Sequence, residues 1–480
     1  MRLGGALLFA WALPFGTGVG VGTPWSFAFH AIRGDLGVSP TSGIDVDARV
    51  RVFAVGSVAL AALAVVVAAT VPWIMVRLDR RNSGRAGITA VVALCLFVGS
   101  VERWRLPNQS GARLGDATIE RLVALGVPAV VLGGALAFVA TRRDGDRRLG
   151  SLLRRDAETI VIGVLVCEVA FDRPGLGVLL RDAVQRHDVA LIRGVVLVVG
   201  AAVAVLGAIR PAPDASRPLT APRALWCAGV VAAVAVVGLV VSDAIGLANP
   251  AAVRPASNPP GSDPIFGVDA VGHDNLARLV ATARVSLAIA TVAAAALLTL
   301  AMIVGLAVGS ANGEFGRRSR AGLALRLPMV LIVAAVLAVR ERSAAGVAVA
   351  LSTMAILPLA AVIADGCDRA WRLRETRPLA EVLPMVIGIG VSAIGTAFVA
   401  EVTLGIFGIV VDGRTTLGRE VANQLPWATT TPWPVMLAAA VTATIGWSIT
   451  ALGYGVAASV PSSETTSAQS LGDGRPHPRP

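Results

Sequence analysis

Long apolar runs separated by short polar intervals fill the chain, and only the stretch beyond Ser459 breaks the rhythm. The runs are about 15 to 25 residues long, which is the length of helix that crosses a hydrocarbon layer about 30 Å thick. Backbone polar groups in lipid must be satisfied within the segment or by a closed barrel, and the two-residue alternation of a barrel strand is absent. The pattern therefore predicts helical spans at residues 3–21, 52–76, 86–101, 121–140, 156–171 and 191–209, then 224–247, 283–309, 323–339, 344–364, 383–403 and 434–459. These form two sets of six in an all-α polytopic membrane protein with about twelve transmembrane helices. The third, fifth and ninth runs are short for a full crossing, so their ends are the least defined.

The polar intervals orient the spans. Arginine-dense loops such as RLDRRNSGR, TRRDGDRRLGSLLRR, GRRSRAG and DRAWRLRETR alternate with loops of mixed charge. The positive-inside bias places the arginine-dense set, and with it both termini, in the cytoplasm. A Pro-rich stretch at 210–223 reads as a cytoplasmic linker between a first half at 1–209 and a second at 224–459, followed by a disordered tail at 460–480. Six spans before the linker give both halves the same orientation, as in parallel repeats. Each half also closes its fifth span on an acid, Glu168 or Glu401, with a glycine seven residues later, Gly175 or Gly408.

The composition agrees: 55% of the 480 residues are hydrophobic and 15% charged, with a mean hydropathy of +0.73. The net charge of +11 is carried by arginines in short inter-span loops, whose ordinary partner is anionic lipid rather than nucleic acid. No lysine occurs anywhere, which excludes a P-loop ATP site and Schiff-base chemistry in this chain. The four cysteines lie in or at the edges of apolar runs with no CxxC pair, and the four histidines are scattered. Neither a disulfide framework nor a metal site is expected, and His187 and His273 read as solvated loop residues. The first apolar run follows Arg2 like a signal peptide but lacks a clear cleavage site, so it reads as a retained span.

Particular segments carry a resemblance. CEVAFDRPGLGVLLRDAVQRHDVALIRGVVLVV, Cys167 to Val199, is similar to the C-terminal third of the first permease of dipeptide, oligopeptide and nickel ABC importers. There an acid, a Pro-Gly-Leu-Gly turn, an outer amphipathic segment and a last span follow in this order. RGDLG at Arg33–Gly37 resembles the same subunit. FGVDAVGHDNLARLVATARVSL, Phe266 to Leu287, and Leu383-Pro384 followed by AEVTLGIFGIV resemble the partner permease. The matched segments cover about a third of the chain; the remainder agrees in hydropathy and span order.

The resemblance implies two fused permeases of a type I importer. The chain would be a transport subunit and not an enzyme, holding no cofactor itself. Its partners would be separate ATPase subunits that bind the ATP, an extracytoplasmic substrate-binding protein and membrane lipid, in the cytoplasmic membrane. One departure is plain: the family's cytoplasmic docking loop has a Glu-Ala-Ala start and a following Gly, and neither TRRDGDRRLGSLLRRDAET nor DGCDRAWRLRETRPLAEV keeps that pattern. Arg154, Arg155, Arg369, Trp371, Arg372 and Arg374 are the remaining candidates for ATPase docking. The same arginines serve equally to hold their loops inside, with Trp371 in the interfacial belt.

Glu168 and Glu401 either line the translocation path or cap the turn after their span, because an acid in an apolar run needs water or a polar partner. Pro174, Gly175, Gly177, Gly405 and Gly408 are expected to serve tight turning and close packing. Between them, Arg181, Asp182, Arg186 and Asp188 are expected to face water or the partner while Val178, Leu179 and Val184 face the bundle or bilayer. Two other classes stay open on sequence: a degenerate permease acting as a scaffold or regulator, and a twelve-span secondary carrier.

Overall fold

In the computed structural model, the described residues are 36–39, 41–78, 157–171, 173–208, 229, 253, 259–261, 264–310, 346–348, 351, 360, 363, 378–409, 411, 413–428 and 431–458. Among them every regular element is helical. We number these α1 (Val46–Leu78), α2 (Ala157–Ala170), α3 (Leu176–Gln185), α4 (Val189–Ala208), α5 (Asn275–Ser310), α6 (Pro378–Ile406), α7 (Leu417–Gln424) and α8 (Trp433–Ala458), with a 3-10 turn at Leu425–Trp427 after α7. Portions of four of them, Val46–Val65, Asn275–Gly305, Val386–Ile406 and Trp433–Gly453, are long and apolar enough to cross a membrane; Ile160–Ala170 and Val189–Ala202 are shorter apolar helices. The chain is a helical, membrane-embedded protein.

The expected spans at 52–76, 156–171, 191–209, 283–309, 383–403 and 434–459 coincide with α1, α2, α4, α5, α6 and α8. Those at 3–21, 86–101, 121–140 and 323–339 lie outside the described residues, and those at 224–247 and 344–364 are described only in fragments. The 210–223 linker, the 460–480 tail, Arg154, Arg155, Arg369, Trp371, Arg372 and Arg374 also lie outside them. α5 begins eight residues before the apolar run, because the polar stretch NLARLVAT continues the same helix. Asp274 starts it: its Oδ1 accepts from the backbone N–H of Leu276 at 2.9 Å and of Ala277 at 3.2 Å, as an N-cap does.

The helices form two groups of like arrangement. Short amphipathic α3 sits among α1, α2 and α4, and short amphipathic α7 sits among α5, α6 and α8. One apolar core spans both groups, with Leu180, Ile192, Phe398 and Phe407 fully buried in it. α6 and α8 approach through small residues spaced seven apart: a Cβ on Gly395 would stand 2.6 Å from the Gly446 carbonyl oxygen, and one on Gly453 would strike the Gly388 carbonyl. Such close approach is how membrane helices gain dispersion contact where lipid offers no hydrophobic drive.

Candidate functional site

α3 starts at a turn that supplies no cap of its own. Its N-cap is Gly175, which has no side chain, so the first N–H groups of the helix must find acceptors elsewhere. Two distant side chains provide them. The Leu176 N–H donates to Ser57 Oγ on α1 at 2.8 Å, and the Gly177 N–H donates to Glu168 Oε2 on α2 at 2.7 Å. Glu168 is 1% exposed, and its carboxyl faces the positive end of the α3 dipole. Glycine makes the approach possible: a Cβ on Gly177 would overlap the Leu165 carbonyl oxygen, one on Gly175 the Glu168 carboxyl, and one on Gly56 the Pro174 carbonyl.

The second group repeats the junction with different chain lengths. The Leu417 N–H donates to Ser286 Oγ on α5 at 2.8 Å, and the Gly418 N–H donates to Glu401 Oε2 on α6 at 3.4 Å. Thr416 adds a side-chain cap, accepting from the Arg419 N–H at 3.2 Å. Gly418 packs directly against Gly405. Ser57 and Ser286 each stand eleven residues past the first residue of their helix, Val46 and Asn275. Glu401 is 2% exposed.

The turns that lead into α1 and α5 also correspond. Gly37, Gly43, Gly267 and Gly272 all have positive φ. Val38 bridges to Asp45 and Val268 to Asp274. The Val46 N–H donates to the Gly37 carbonyl at 2.9 Å and the Asn275 N–H to the Gly267 carbonyl at 3.2 Å. Aligning these turns places Ser39 opposite Asp269 and Arg49 opposite Arg278, with one extra residue in the first turn.

The side chains on the turns differ. Ser39 and Thr41 donate to Asp188 Oδ2, Thr41 at 2.7 Å, while Asp188 Oδ1 caps α4 by accepting the Leu191 N–H at 3.1 Å. Asp269, fully buried, instead accepts from the backbone N–H groups of Val271 at 2.9 Å and His273 at 2.8 Å, from Arg278 Nη1 at 2.9 Å and from Gln424 Nε2 at 3.1 Å. Arg278 Nη2 reaches Glu420 Oε2 at 2.7 Å. Burial alone would raise the Asp269 carboxyl; the His273 and Val271 backbone donors and the charges of Arg278 and His273 outweigh it and hold the group below the usual carboxylate range.

Among the sequence candidates, Glu168 and Glu401 are brought to the starts of α3 and α7. Gly177 and Gly405 lie in the two junctions, and Pro174 and Gly175 form the turn against α1. Gly408, with φ +80°, ends the α6 turn beside the Gln185 side chain at the C-terminal end of α3, so the two groups touch there. The glycine that each acid engages is Gly177 or Gly418, not the one seven residues on, since the turns after α2 and α6 differ in length. Asp188 is 1% exposed rather than water-facing, because it caps α4. His273, partly exposed in the turn before α5, has Nδ1 3.2 Å from Asp269 Oδ2, and among the described residues no group of acids, histidines and cysteines is arranged to hold a metal ion. Ser57 and Ser286 are junction residues that hydropathy hides, since a single serine barely interrupts an apolar run.

No protein-family model matches the chain, and no curated protein is significantly similar to it.

Proposed function

We propose that the chain is the fused transmembrane permease of a peptide-type ABC importer, moving peptides or similar small solutes across the cytoplasmic membrane. Two parallel six-helix modules, about twelve spans in all, would be joined by the cytoplasmic 210–223 linker and open alternately to each side. Separate ATPase subunits would bind the ATP, and an extracytoplasmic binding protein would deliver the cargo.

The observation that carries the reading is the recurrence of one junction in both halves: a serine eleven residues into a long helix, a buried glutamate ending a later helix, and a Leu-Gly start of an amphipathic helix that both side chains hold. Glu168, Leu176, Gly177, Ser286 and Glu401 fall in the segments whose sequences resemble the two permease subunits, and Ser57, Leu417 and Gly418 lie outside them. Glu168 and Glu401 act here as positioning residues: they fix amphipathic helices at the mouth where cargo arrives. Purification from its native membrane, followed by uptake of a dipeptide into proteoliposomes, tests the proposal. An importer brings ATPase subunits with it and shows uptake that requires ATP and the binding protein. Purification without an ATPase, and no ATP-dependent uptake, would leave a scaffold as the better reading.

A further inference from the structure

The two amphipathic helices present different chemistry to the turns they cover. Superposing the Leu-Gly starts sets Glu420 of α7 at the place of Leu179 in α3, and Gln424 at the place of Ala183. The α3 face is apolar and buried, whereas the α7 face is polar and equally buried: Glu420 is 6% and Gln424 4% exposed. A buried carboxylate is costly unless paired and hydrogen-bonded. The pairing comes from one side chain on a third element, the first turn of α5.

We propose that Arg278 is an ionic latch that fastens α7 to the turn before α5, a device with no counterpart at the aligned described residues of the first half. Its two terminal nitrogens take different acids: Nη1 lies 2.9 Å from Asp269 Oδ2 on the turn, and Nη2 lies 2.7 Å from Glu420 Oε2 on α7. The planar fork of arginine suits this geometry, and a lysine point charge does not. Gln424 Nε2 closes the ring, 3.1 Å from Asp269 Oδ2 and 3.0 Å from Glu420 Oε1. Without the guanidinium, two buried carboxylates would face each other across a single amide, so like-charge repulsion would add to the lost bonds. The aligned Arg49 has no such pair to bridge, because Ser39 and Leu179 hold the corresponding places. The latch does not depend on what the protein moves.

Hydrogen exchange on the full-length protein in lipid nanodiscs tests it, with α3 as the internal reference. Arg278→Gln and Glu420→Gln should each speed exchange of the α7 amides about ten-fold or more, as loss of a buried charged hydrogen bond implies. The double variant should exchange no faster than the faster single one, Arg278→Lys should fall between wild type and Arg278→Gln, and α3 should keep its wild-type rates. Glu420→Gln leaves the Asp269–Arg278 pair in place, so it still reports if Arg278→Gln fails to fold. Unchanged α7 exchange in Glu420→Gln, an additive double variant, or an equal change in α3 would overturn the latch.

Discussion

Glu168 and Gly177 stand nine residues apart and on different helices, yet the glutamate carboxylate accepts the glycine N–H at 2.7 Å where α3 begins. A buried N–H that loses its acceptor costs about 1–3 kcal/mol. Glu168→Ala is therefore expected to lower thermal stability by about that amount, and Glu168→Gln, which keeps an acceptor oxygen, by less. Ser57→Ala and Ser286→Ala remove matching bonds to Leu176 and Leu417; each should cost about 1 kcal/mol. Thermal unfolding of the detergent-solubilised variants checks the order, and equal losses in Glu168→Ala and Glu168→Gln would count against the cap.

If the two acids hold the mouth of a transport path, replacing each by its amide should weaken uptake more than it weakens folding. Glu168→Gln and Glu401→Gln are expected to lower uptake at matched membrane abundance. Wild-type uptake in both variants would remove these residues from the transport account.

The junction glycines permit a sharper contrast. A Cβ on Gly177 would overlap a carbonyl oxygen, and one on Gly418 would come within 2.7 Å of the Glu401 carbonyl, whereas a Cβ on Gly261 would have its nearest neighbour at 3.8 Å. Backbone contacts cannot swing aside as a flexible side chain can, so overpacking of about 1–3 kcal/mol or more is expected for Gly177→Ala and Gly418→Ala. Gly261→Ala should be silent. Yield of monodisperse protein is a sufficient readout, and normal yield of Gly177→Ala would refute the packing described here.

Asp269 gives the pH dependence. Its folded carboxyl lies below its unfolded value, so its contribution is complete above the unfolded value, near pH 4, and is lost as pH falls through the lower folded value. Wild type should therefore exceed Asp269→Asn in thermal stability at pH 7 and at pH 5 alike, with the gap closing only below about pH 4. A gap that closes between pH 7 and 5 would contradict this sign.

Hydropathy located six of the described helices, with starts up to eight residues off, and a lone acid at the end of an apolar run marked Glu168 and Glu401, because a carboxylate there needs a partner. What those partners are was not legible. The bonded glycines lie nine and 17 residues from their acids, so no common spacing exists to read. Ser57 and Ser286 leave no mark on an apolar average. Asp188 reads as a surface residue because its burial comes from a segment far away in the chain, Ser39 and Thr41, and Asp269 draws Gln424 from equally far away. The signal that would have found the shared turns was internal: Gly-Val at 37–38 and again at 267–268, each followed by an aspartate and an arginine at the start of a long helix.

In the proposed arrangement the two halves face the same way across one membrane, with their junction on the other side. Thr41 and Val271 are exposed positions on the corresponding turns. In a variant without Cys95, Cys167, Cys227 and Cys367, single cysteines at Thr41, Val271 and Ser216 can be labelled in intact cells with a membrane-impermeant maleimide. Labelling at Thr41 and Val271, with Ser216 reacting only after the membrane is opened, is the predicted result. Labelling at Ser216 in intact cells, or at only one of the two turns, would contradict it.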